Sequence, residues 1–92
     1  MAMTTLTLPT RCDRPAAAAL LPELRAAVMA GDVAINGTEV AHFGQAMLQL
    51  LLSARNTLAE QRHAMTVTAS PAMQAALATA DAEHLLDDGS TR

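Results

Sequence analysis

Apolar and polar positions along the chain alternate at two different periods, and the change of period divides the sequence into elements. Val33-Ala34-Ile35 is a short apolar run that reads as a buried strand, followed by the turn signal Asn36-Gly37-Thr38. After a polar passage the period becomes helical. Met47, Leu51, Ala54 and Leu58 share one face with Leu48, Leu50 and Leu52 beside them, and Gln45, Gln49, Ser53, Asn56 and Glu60 fall opposite. This predicts a strand, a loop over Glu39–Gly44 and a helix beginning near Gly44.

The rest of the chain is organised around that unit. Leu6, Leu8 and Cys12 alternate as in a strand, interrupted by Pro9-Thr10, which predicts an edge strand with a bulge or tight turn. Asp13 is placed to cap a helix over Pro15–Ala30, with Gly31 as its stop and Pro22 set to kink it or delay its start. Gln61-Arg62-His63 turns the chain, and Met65, Val67 and Ala69 alternate with Thr66 and Thr68 as a strand. Ser70-Pro71 opens a helix with Met73, Ala76, Leu77 and Ala80 on one face. A short turn is expected over Ala82–Leu86. Met1–Thr5 and Asp87–Arg92 read as flexible ends.

The expectation is one α/β domain over residues 1–92, a small sheet of about four strands with a largely parallel core and helices packed against it. The N-terminal strand is left free to run in either direction. The core must be aliphatic, because Phe43 is the only aromatic residue.

Charge narrows the function classes. A formal net charge of −3 with no lysine disfavours nucleic acid and anionic membrane surfaces as partners. No run is apolar for long enough to span a bilayer, and no secretory leader is recognisable, so a cytoplasmic protein is expected. The single Cys12 reads as a buried free thiol. His42, His63 and His84 stand at no metal-ligand spacing, and His42 reads as a plain loop histidine. Phe43 reads as core and Thr38 as a residue that tightens its turn. No phosphate loop, paired carboxylate or nucleophile–base set points to an enzyme, a cofactor or a metal. Two classes remain: a protein-binding module and a small-ligand or nucleotide sensor. Both would use the loop at the carboxyl end of the central strand and the polar start of the following helix. Gln45 is either a contact there or part of a solvated face shared with Gln49.

With this order in place, the residues resemble the STAS domain of bacterial anti-sigma-factor antagonists over nearly the whole chain. That family opens with a strand ending in Leu-Asp before a helix, and Leu6, Leu8, Cys12 and Asp13 stand there. Its central strand ends in Leu-Asp-x-Ser, matched by Ile35-Asn36-Gly37-Thr38. Its pattern Val-x-x-Ile-Asp-Ser-Ser-Gly-Leu-x-x-Leu-Leu falls on Val40 to Leu52, and its Ser-Pro-x-Val-x-x-x-Leu falls on Ser70, Pro71, Met73 and, near its end, Leu77. The family's phosphorylated serine corresponds to Ala46, which has no hydroxyl; the Asp and first Ser before it are Gly44 and Gln45, and the Gly after it is Met47. The Gln-rich start looks more like divergent STAS proteins encoded beside chemotaxis genes, or the small STAS subunit of lipid-transport ABC complexes, which usually keeps Thr where Gln45 stands. The resemblance implies a non-catalytic regulator without the serine switch. Its partner would be another protein: an anti-sigma factor or kinase, a chemotaxis component or a transporter subunit. The implied contact set is Thr38, Glu39, Ala41, His42, Gly44, Gln45, Ala46 and Gln49.

Overall fold

The computed structural model describes residues 3–82. Strand β1 (Met3–Thr7) is followed by β2 (Arg11–Cys12), α1 (Arg14–Ala30), β3 (Asp32–Gly37), β4 (His42–Phe43), α2 (Gln45–Glu60), β5 (Met65–Ala69) and α3 (Pro71–Thr79). The protein is α/β. Its main sheet has the order β1-β3-β5 and is parallel throughout, so the N-terminal strand runs with the others; β2 and β4 form a second parallel pair. Met3–Thr5 is therefore not a frayed end but the start of β1, in register with Asp32–Ala34.

The register sorts the strand side chains into two faces. Leu6, Ile35 and Val67 align across the sheet, as do Thr4, Val33 and Met65, and these point toward the helices. Leu6, Val33, Ile35 and Met65 are buried there. Helix α1 packs on β1 and β3 and alongside α2. Helix α3 brings the Met73 Sδ over Gly37 and near Leu8, on the same side. Both crossovers step in one direction along the sheet, so right-handed connections put both helices on one face. The result is a slab of 31 × 31 × 18 Å, two layers deep. The other sheet face carries Thr5, Thr7, Ala34, Asn36, Thr66 and Thr68 and is covered by nothing among the described residues.

Local chemistry explains the boundaries. The Asp13 carboxylate accepts from the Ala16 N–H at 3.1 Å, which caps α1. Gly31 ends it with φ 135°. Pro22 does not delay the helix: α1 begins at Arg14, and Ala18, whose carbonyl Pro22 cannot bond, is exposed to water. Ser70 caps α3 through the Met73 N–H. Ala80 lies past the end of α3 and is exposed, so the apolar face of that helix is Met73 and Leu77 with half-buried Ala76. Ala82 is buried; the rest of the expected short turn, the tail and His84 lie outside the described residues.

Two features of the central unit differ from the sequence expectation. Asn36 and Gly37 belong to β3, and the turn falls on Thr38-Glu39. Gly37 is there for space, not for turn geometry: a Cβ on it would lie 2.6 Å from the Met73 Sδ and 3.2 Å from the Thr68 carbonyl oxygen. The loop Glu39–Gly44 also contains β4, because the Thr10 carbonyl accepts from the Ala41 and His42 N–H groups and the Cys12 carbonyl from Gly44. His42 is thus a strand residue. A two-residue strand is too short to show any alternation.

Candidate functional site

The surface at the carboxyl end of β3 is held by backbone and side-chain anchors. The Gly37 carbonyl accepts from the N–H groups of Val40 (3.2 Å) and Ser70 (3.1 Å), which closes the turn and ties it to the start of α3. The buried Ser70 hydroxyl then donates to the Val40 carbonyl at 2.6 Å while accepting from the Met73 N–H at 3.1 Å. On the other side, β2 holds β4. Asn36 tightens the turn from within, its Oδ1 accepting from both the N–H and the hydroxyl of Thr38, at 3.1 and 2.8 Å.

This scaffold presents the expected contact residues together. Thr38, Glu39, Ala41, His42, Gln45 and Gln49 are exposed. Gly44 and Ala46 are half-buried, and Ala46 packs against the core. Among the described residues, the side chains of Glu39, His42, Gln45 and Gln49 make no hydrogen bond or ion pair. Gly44 caps α2 without a side chain, and the first turn holds no acidic residue, so the leading N–H groups of the helix have no side-chain acceptor there. A Cβ at Gly44 would approach the Cys12 carbonyl to 3.0 Å, so a capping side chain there requires the β2 backbone to give by a few tenths of an ångström.

Phe43, expected in the core, is only half-buried against it, and its other side walls an open cleft of about 270 Å³. Gly44, Gln45 and Leu48 at the start of α2 and Ala76, Thr79 and Ala80 on α3 complete it. Sequence reasoning placed Ser70 only as a helix cap. Its second role, holding Val40 thirty residues away, has no signal in local spacing.

Behind the exposed Glu39 and His42, the ionisable groups of β2 and the start of α1 are engaged. Arg11 Nε lies 3.3 Å from Asp13, whose other oxygen caps α1. The Cys12 thiol is buried, as expected, and donates to the Pro9 carbonyl; burial, then the Asp13 charge, raises its pKa above the ordinary thiol value. It therefore stays protonated and is a poor nucleophile. Among the described residues no three His, Cys, Asp or Glu side chains converge as a metal site, and no helix is long and apolar enough to cross a membrane. What the arrangement can do is present exposed polar side chains, free helix N–H groups and a small apolar recess on one edge. Comparison of the chain with family models, with characterised proteins and with solved structures finds no match.

Proposed function

We propose that this chain is a non-catalytic, STAS-like regulatory domain that works by binding another protein through the surface from Thr38 to Gln49. The observation that carries the reading is the group Glu39, His42, Gln45 and Gln49, exposed and without partners among the described residues on the turn, β4 and the start of α2, with the turn backbone held by Ser70. A backbone already held in place loses less conformational freedom on binding than a mobile loop. The partner classes are those of the resemblance: an anti-sigma factor or kinase, a chemotaxis component, or the ATP-driven lipid transporter to which a STAS subunit belongs. Control lies on the partner's side or in protein level, because Ala46 offers no hydroxyl where the family is phosphorylated.

The test is affinity capture from the native host with the wild-type chain and with Gln45→Glu, followed by titration of the captured partner. Gln45→Glu adds a charge at an exposed helix start. It should weaken binding while leaving the melting temperature unchanged or slightly higher, since a carboxylate there is worth about 0.3–1 kcal/mol. Unfolding of the variant, or undiminished affinity, would sink the assignment. Mass spectrometry of the host protein addresses regulation: stoichiometric phosphate on Thr38 or Ser53 that alters affinity would replace constitutive binding with a switch.

The cleft beside Phe43 favours a second reading, a sensor for a small ligand or nucleotide. Calorimetric titration with nucleotides separates the two, since saturable heat lost on Thr79→Glu, a change at an exposed residue of the cleft, supports the sensor.

A further inference from the structure

A second surface lies on the outer side of the helix layer. Helices α1 and α2 both connect parallel strands, so they run side by side in the same direction. Between them is an open groove of about 350 Å³ with Leu21 and Val28 from α1 and Leu50 and Ala54 from α2 as its apolar walls, and with Ser53 and Thr57 of α2 and Gln61 at its end as its polar side. Leu21 and Val28 stand seven residues apart on α1 and Leu50 and Ala54 four apart on α2, so the wall is corrugated at the helical repeat. Met29, 85% exposed, stands at the rim. Arg25 is the only ionisable side chain lining the groove; it is exposed and has no acidic partner among the described residues.

We propose that this groove receives an amphipathic helix from a protein partner, with an Asp or Glu of that helix paired to Arg25. An open apolar trough between two parallel helices is the seat a third helix takes, its anchors spaced i, i+3 or i+4 and i+7. The lone guanidinium fixes the partner's charge and register, because a basic neighbour there would meet like charge and a carboxylate can be held by two N–H donors. The groove begins at Leu50 and reaches Gln61, about 8 to 24 Å along α2 from Gln45 at 1.5 Å per residue. The groove adjoins the surface at the start of α2 where Ser53 follows Gln49 by one turn, so Gln45→Glu at the far end of that surface tells the two contacts apart, and the groove stands whether or not the other surface binds.

The test selects helical peptides from a randomised display library on the folded chain and measures the enriched peptides by fluorescence anisotropy. Arg25→Glu and Met29→Glu alter exposed side chains, so both variants keep the wild-type circular-dichroism melt. The expected peptides carry apolar residues at the stated spacing with Asp or Glu beside them. Arg25→Glu weakens them by roughly ten- to a hundredfold, the loss of one charge-assisted contact, and selects basic peptides instead. Met29→Glu also weakens them, and Gln45→Glu does not. Failure to enrich any peptide, or peptides indifferent to both groove variants, overturns the proposal. So does a concentration-dependent dimer dissolved by Met29→Glu, which would give the groove to a second copy of this chain.

Discussion

Helices α1 and α2 are nearly equal in length, make the same kind of crossover and pack against each other, yet they settle their inward faces by different physics. In α2 polarity decides. Met47, Leu51, Ala54 and Leu58 are buried, and Gln45, Gln49, Ser53, Asn56 and Glu60 face water. In α1 the apolar residues stand on both sides and the bulkier face decides. Ala17, Leu20, Leu24, Ala27 and Val28 go inward, while the outward residues include Ala18, Ala19, Pro22, Ala26 and Met29, mostly apolar as well. Burial is worth about 25 cal/mol per Å² of apolar surface, so the face that carries Leu20, Leu24 and Val28 takes the interior and brings Ala17 and Ala27 with it, while the alanines of the other face stay outside at little cost.

The largest test of this contrast is Leu51→Asp on the inner face of α2. A buried, unpaired carboxylate costs more than about 4 kcal/mol, a large share of the whole stability of a small domain, and the chain should not fold. A soluble Leu51→Asp protein with a cooperative melt would refute the helix phase. Next come the helix ends. Gly31 stops α1 at φ 135° and ψ −140°, a region closed to other residues, so Gly31→Ala should cost about 1–3 kcal/mol in chemical denaturation. Helix α2 instead turns over at Arg62 with φ 63°, where His63 donates to the Leu58 carbonyl. Arg62→Gly relieves that left-handed backbone and should raise stability by about 0.5–1 kcal/mol. The smallest effect is expected outside α1: Ala19→Glu should change stability by no more than about 0.5 kcal/mol. A larger loss would mean that the outer face of α1 is packed.

The same contrast explains what could be read beforehand. The α2 pattern gave its buried face residue by residue, and Asp13, Gly31 and Ser70-Pro71 marked helix ends because each supplies a group or freedom that the backbone needs there. The Met65-Thr66-Val67-Thr68 alternation likewise separated the two sheet faces. The parallel pairing of β3 and β5 followed from the crossover, whereas the direction of β1 was left open and is parallel too. Long-range geometry was not legible. Asn36-Gly37 looked like a turn, but glycine is required there by a methionine thirty-six residues later. Strand β4 exists only because β2 offers it carbonyls. At the candidate site, the exposed polar set from Thr38 to Gln49 was visible in the sequence, whereas the Ser70 bridge beneath it and the recess beside Phe43 depend on how α3 docks.

The Ser70 hydroxyl has a dynamic consequence. It engages a loop carbonyl and a helix amide at once, so the Met73 N–H and the Val40 carbonyl can lose their common partner together. Local opening of the loop and fraying of the first turn of α3 then belong to one event. Hydrogen–deuterium exchange at Met73, a residue that touches no ligand at the loop, becomes a reporter of occupancy there. Whatever binds over Glu39 and His42 should slow that amide by the same factor by which it suppresses loop opening.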